Sequence, residues 1–244
     1  MNARTAGTLH GVRLPLVLLV GAGLLLLLAA AAFWPNYLSR PWASIDAYTH
    51  VHALLGTAWM GMLVAQPALV FAGRRRAHRA LGRFAVFVAP AFVVSGVLLA
   101  HFKLSRMAAD LFAKEGVYVY LPLSVALLFA VAAGLGWFWR RSPAVHARFM
   151  ASTALLLLDP VLARVLFFRL PRLPFDALYQ GISFSLVALA LFFLWRTLPA
   201  GVAGRTAFGN FCIGTIGVLV LFFVLPHTGA WAAFTLEFRA LPLT

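Results

Sequence analysis

The chain has 244 residues, of which 63% are apolar and only 11% charged. A soluble domain carries about 25% charged residues, so this chain has too little polar surface for a water-soluble globule. Its apolar runs are continuous rather than alternating, which points to membrane-spanning helices and away from a β-barrel. The formal charge of +14, from 20 Lys and Arg against 6 Asp and Glu, therefore bears on topology before it bears on nucleic acid, which is not an expected partner. One cysteine, Cys212, excludes an intrachain disulfide and a cysteine metal cluster.

A span needs roughly 20 apolar residues to cross about 30 Å of hydrocarbon. Seven segments meet that length, at 14–34, 46–72, 80–101, 117–139, 147–168, 177–198 and 208–226. The expected fold is an all-α polytopic bundle, one integral membrane domain over residues 1–244. The first segment follows Arg4 and Arg13 and is longer than the 7–15-residue core of a signal peptide, so it is expected to stay as a span. Short connections make consecutive helices antiparallel neighbours.

The loops give the orientation. Arg4, Arg13, Arg74, Arg75, Arg76, Arg79, Arg83, Arg140, Arg141, Arg148, Arg196 and Arg205 fall on one side with no acid among them. The other side mixes Arg40, Lys103, Arg106, Lys114, Arg169, Arg172 and Arg239 with Asp46, Asp110, Glu115, Asp176 and Glu237. The positive-inside rule places the first side and the N-terminus in the cytoplasm, with the C-terminus external. The expected location is a bacterial cytoplasmic membrane.

Ionisable groups within hydrocarbon are costly and mark candidate sites. They gather at two levels. The outer level holds Asp46, His50, His52, His101, Asp159 and Arg164. Asp46 and His50 are four residues apart, on one helix face, where a carboxylate would orient the His50 ring. His50 and His52 stand about 200° apart on an ideal helix and do not share a target. Asp159 is the carboxylate set deepest in a span. Pro160 beside it leaves the Leu156 carbonyl without its usual donor, a kink that commonly borders a cavity. Arg164, one turn further on, would pair with Asp159 or with a carboxylate of another helix. Tyr118, Tyr120, Tyr179, Gln180 and Ser183 lie at the same level and would complete an outward-facing polar pocket. The inner level is the cytoplasmic mouth, with His78, Arg79, Arg83, His146 and Arg148. It would share a metal or haem between the two histidines, bind an anionic headgroup, or serve as a solvated collar attracting anionic lipid. Gln66-Pro67 would kink the second span toward this mouth, and the buried Gln66 needs a hydrogen-bond partner there.

The runs H-V-H-A-L-L-G-T-A-W-M-G-M-L-V-A-Q-P-A-L-V, R-A-H-R-A-L-G-R, V-H-A-R-F-M and D-P-V-L-A-R, together spanning roughly 46–168, resemble a widespread group of uncharacterised bacterial polytopic membrane proteins. The H-R-x-L-G-R element is the most specific part of the resemblance, which implies a membrane bundle and no particular chemistry. A looser analogy is to di-haem b-type membrane cytochromes, which hold haem between histidines of neighbouring helices. It implies an outer ligand pair, His52 with His101, and an inner pair, His78 with His146. The sequence departs from that pattern because His78 and His101 are twenty-three residues apart, about 34 Å at helical rise.

Three functions follow as expectations. The first is a histidine-based redox protein binding haem b or a transition-metal ion, with quinone as an exchange partner. The second is a small transporter or ligand-binding protein using Asp159, Arg164, His50 and His52. The third is an accessory subunit docked on another membrane protein.

Overall fold

The computed structural model describes residues 3–169 and 177–244, with side chains for 14–166 and 179–244. Arg4, Arg13, Arg169, Arg172 and Asp176 lie outside the described side chains. Among the described residues there are helices and turns and no strand. The long elements are α1 (Ala3–Phe33), α2 (Ala47–Phe71), α3 (Arg75–Ser105), α5 (Tyr120–Phe138), α6 (Pro143–Leu156), α7 (Leu158–Arg169), α8 (Ala177–Arg196) and α9 (Arg205–Leu221). Two short helices, α4 (Ala109–Glu115) and α10 (Gly229–Ala240), flank them. Seven segments are long and apolar enough to cross a membrane, and each overlaps one expected from hydropathy.

The packing follows chain order for the most part, with α1 on α2, α2 on α3, α3 on α5 and α5 on α6, while α7 returns to lie against α1 and α8. The core is aromatic. Trp59, Phe92 and Phe129 meet edge to face, as do Phe149, Phe208 and Phe211. Trp59 also donates to Thr153 Oγ1 at 3.2 Å, which ties α2 to α6 in the bundle interior. Leu27, Phe87, Phe138 and Ile213 are each at least 69% exposed, as residues facing hydrocarbon rather than water must be.

Local chemistry explains the joints. Gly73 takes φ +72°, and the Arg74 N–H reaches back to the Leu69 carbonyl at 2.8 Å, closing α2 with a left-handed cap. As a result α3 starts at Arg75, and of the arginines expected in a loop Arg75, Arg76 and Arg79 instead ride the first turns of α3. The fifth span is broken at Leu157, between α6 and α7. Pro160 has no N–H to offer the Leu156 carbonyl, and Leu157 turns back to Ala154 at 3.1 Å. By contrast α2 runs without interruption through Pro67.

Two features were not expected. A wide helical turn, Trp34–Leu38, and a tight one, Trp42–Ser44, bridge α1 and α2. Beyond the seventh span, Thr228 caps α10 by accepting the Trp231 N–H at 3.2 Å. This helix folds back over the end of α3, where Arg239 donates to the Met107 carbonyl at 2.7 Å.

Candidate functional site

At the outer level the structure divides the expected cluster into separate environments. Asp46 is the N-cap of α2, and its Oδ1 accepts the Thr49 N–H at 2.8 Å. Its Oδ2 accepts the Thr49 hydroxyl at 2.9 Å and meets Lys103 Nζ at 2.8 Å. This is the only ion pair among the described residues. Partial burial alone would raise the Asp46 carboxyl pKa, but Lys103 and the Thr49 donors outweigh it and hold the carboxyl down to about 2. Asp46 therefore does not orient His50. The partners of His50 are Tyr37, whose hydroxyl lies 3.0 Å from Nδ1, and the Trp42 carbonyl, 3.0 Å from Nε2. Since a carbonyl only accepts, Nε2 carries the proton and Nδ1 accepts from Tyr37. Both ring nitrogens are occupied, and neither is available to a metal.

His52 lies flat against Phe92, with ring centroids 4.7 Å apart. Its Nδ1 is 3.1 Å from Ser95 Oγ, which itself donates to the Phe92 carbonyl at 2.9 Å. The Ser95 proton is committed, so His52 Nδ1–H is the donor and Nε2 keeps its lone pair. This close seat depends on Gly96, where a Cβ would come within 3.2 Å of the His52 ring. His101, grouped with the outer level, is fully buried under α10, edge-on to Phe238, with Nδ1 2.7 Å from Thr244 Oγ1. Its Nε2 has no partner. Along α3 His101 lies about 1.4 turns beyond Gly96, among different neighbours from those of His52. The structure does not bring these two rings together as an outer ligand pair.

Asp159 occupies the first turn of α7 and is 5% exposed. Its Oδ1 accepts the Ser183 hydroxyl at 2.7 Å and the Tyr179 hydroxyl at 3.4 Å. Tyr179 also reaches the Asp159 carbonyl at 2.8 Å. The expected contact with Arg164 is absent. The Arg164 guanidinium donates to the Pro160 carbonyl of its own helix at 2.8 Å and lies over the Phe33 ring, 4.5 Å from the centroid. At five residues' separation the two side chains leave the helix on different faces, and the break at Leu157 does not turn one toward the other. Arg164 thus lies between α7 and the Phe33 ring of α1, and Asp159 between α7 and α8. Gln180, next to Tyr179, is buried with its Oε1 unpartnered. Tyr120 belongs elsewhere and donates to the Val218 carbonyl at 2.6 Å.

The inner level is assembled from the ends of four helices. His78 of α3 and His146 of α6 meet edge to face with ring centroids 6.4 Å apart. His146 Nδ1 donates to the Gly136 carbonyl of α5 at 2.7 Å, so its Nε2 bears the lone pair. Gln66 of α2 does find its partner here. Its amide oxygen accepts the Gly82 N–H at 3.0 Å, and its NH2 donates to the His78 carbonyl at 3.1 Å and to His78 Nδ1. His78 Nδ1 is thus an acceptor and its proton sits on Nε2. Arg79 and Arg83 are exposed on α3. Arg148 is not part of this mouth. It is 5% exposed and spends its guanidinium on the carbonyls of Leu194 (2.7 Å), Ala144 (2.9 Å) and Thr197 (2.9 Å), capping the C-terminus of α8. Sequence reasoning missed Tyr37, Trp42 and Ser95, the residues that set the histidine tautomers. Tyr37 and Trp42 carried a weak signal as aromatics at a span end.

Helix content, seven apolar spans and their lipid-facing side chains define the class, an all-α multi-pass membrane protein. No protein-family model, curated protein or solved structure matches the chain.

Proposed function

We propose that this protein binds a small ligand in a proton-coupled manner, at an intramembrane site between α1, α2, α7 and α8, in a bacterial cytoplasmic membrane with the basic end inside. Asp159 is the proton-exchanging carboxylate, Arg164 the anion-recognising group, and His52 Nε2 an added acceptor. One observation carries this reading. A buried carboxylate and a guanidinium share a span five residues apart, beside a helix break, without neutralising each other through contact. Charges at that depth are expensive, and a purely structural pair would close. The hydroxyls of Ser183 and Tyr179 both donate to Asp159 Oδ1, and protonation of the carboxyl keeps that acceptor but removes its charge, so proton uptake weakens the hold of α7 on α8.

The histidine redox reading draws less support. His50 has no free nitrogen, His52 and His101 are apart, and His78 presents Nε2–H rather than a lone pair to any metal shared with His146. Quinone exchange falls with it, and docking on a larger complex has no specific feature in its favour.

The test is proton flux. Purified protein is reconstituted in phosphatidylcholine–phosphatidylglycerol vesicles containing a pH-sensitive dye, under an imposed membrane potential. Wild type is expected to carry protons faster than empty vesicles, and Asp159→Asn, which preserves the acceptor for Ser183, to fall to the empty-vesicle rate. Wild-type flux no greater than empty vesicles, or an unaffected Asp159→Asn variant, would reject the proposal.

A further inference from the structure

At the end of the molecule that carries the acids, the chain closes over a histidine that the Asp159 site does not use. His101, near the end of α3, is fully buried. Its cover is the far half of α10 and the residues that follow. Phe238 sets its ring edge-on to the imidazole, with centroids 5.2 Å apart, and packs with Ala100, Leu104 and Val119 in a small apolar cluster. Arg239 donates to the Met107 carbonyl at 2.7 Å and lies over the Phe112 ring. Thr244 Oγ1 is 2.7 Å from His101 Nδ1. The near half of α10 is held separately. Thr228 caps it, and Trp231 meets Tyr120 edge to face at 5.3 Å.

This seat fits a neutral imidazole. Thr244 serves one ring nitrogen, and Nε2 is buried without a partner. A neutral ring tolerates that, because its second nitrogen can stand as a bare lone pair among apolar side chains. An imidazolium carries an N–H on both nitrogens, so protonation would bury an unpaired donor together with a charge. The surrounding elements do not offset that charge. The only ion pair among the described residues joins Lys103 to Asp46, so no carboxylate is in contact with the ring. Helix α3 brings Lys103 and Arg106 to this end, and α10 brings Arg239, all cations. Glu237 of α10 is exposed, as are Asp110, Lys114 and Glu115 of α4, and the 116–119 turn adds the Tyr118 phenol. The buried Thr235 hydroxyl is spent on the Ala232 carbonyl of its own helix at 2.9 Å.

We propose that residues 235–244 form a proton-released strap, shut over neutral His101 and lifted from it when the ring takes up a proton. Opening gives the Nε2–H water as its partner and carries Arg239 away from the new charge. Proton uptake and opening are therefore linked, and a falling pH favours the open form. The Thr228 cap and the Trp231–Tyr120 contact keep the near half of α10 seated while the far half lifts. Lifting uncovers the end of α3 together with Ala100, Leu104 and Val119.

The experiment is hydrogen–deuterium exchange of the whole protein in phosphatidylcholine nanodiscs, at about pH 7.5 and about pH 5, which bracket the ordinary imidazole range. Each rate is divided by the intrinsic exchange rate at that pH. Protection of peptides covering 235–244 and the end of α3 is expected to fall reversibly by about tenfold or more at the lower pH, the effect of one buried unpaired donor. Peptides from α5 and α9 are expected to keep their protection. His101→Gln, neutral throughout and still able to meet Thr244, is expected to stay closed at both pH values. Glu237→Gln is expected to respond as wild type does, because Glu237 is exposed to solvent. Strap protection in wild type that does not change with pH, or that falls equally across α5 and α9, overturns the proposal without reliance on any variant. So does a drop of the same size in His101→Gln, or loss of the response in Glu237→Gln.

Discussion

At the scale of single residues, Asp46 shows how a charge near a membrane surface serves structure. It caps α2 and reaches across to Lys103 on α3, 57 positions further along the chain. Its carboxyl ionises at about 2 in the folded protein against 3.8 when free. A lowered pKa means that the stabilising contribution is complete above about pH 4 and is lost as pH falls toward 2. The apparent Tm in detergent should therefore be flat above that range and drop below it. In Asp46→Asn the drop between pH 4 and 2 should shrink, and added salt should weaken the wild-type effect because Lys103 is largely exposed. The same scale explains why histidine spacing misled. His50, His52 and His101 are close in sequence level, but their roles follow from Trp42, Ser95 and Thr244, and no spacing rule encodes a hydroxyl's choice of partner.

At the scale of elements, the hydrophobic runs locate the spans to within a few residues, because the hydrocarbon thickness sets their length. Pro160 likewise announces the break at Leu157, since a missing donor is a local property. What could not be read is anything that depends on helix-to-helix contact. The folded-back α10 is one case, and the closure of α8 by Arg148 is another. Arg148 looked like part of a basic collar but bonds the carbonyls of Leu194 and Thr197. Arg148→Met should lower stability by about 3 kcal/mol, as carbonyls at the α8 terminus lose their donors. Arg148→Lys retains the charge but not the fork and should recover only part of that loss. Thermal unfolding of the purified variants reads both.

For the whole molecule, hydropathy made the architecture of seven apolar helices accessible from the sequence. The basic arginines do cluster at one end of the bundle, around the α2–α3, α5–α6 and α8–α9 connections, with Asp46, Asp110, Glu115 and Glu237 at the other. The native Cys212 is buried, which gives a quiet background for labelling. A cysteine introduced at exposed Ala200 should resist a membrane-impermeant maleimide in intact cells and react after lysis. One at exposed Ser39 should react in both. The reverse pattern would invert the assigned orientation.

Asp159 and Arg148 acquire a joint meaning when set against the break at Leu157. They lie on opposite sides of it, and their α8 partners, Ser183 and Leu194, are separated by the same eleven residues (159 − 148 and 194 − 183). Helix α8 is thus a splint laid along a fractured span and fastened to both fragments at points about 16 Å apart. One fastening is a guanidinium, whose charge is permanent. The other is a carboxylate, whose charge a single proton removes. Loosening the second while the first holds would let α7 pivot at the fracture and carry Arg164 with it. A protonation event of atomic size would then be converted into the swing of a half-helix.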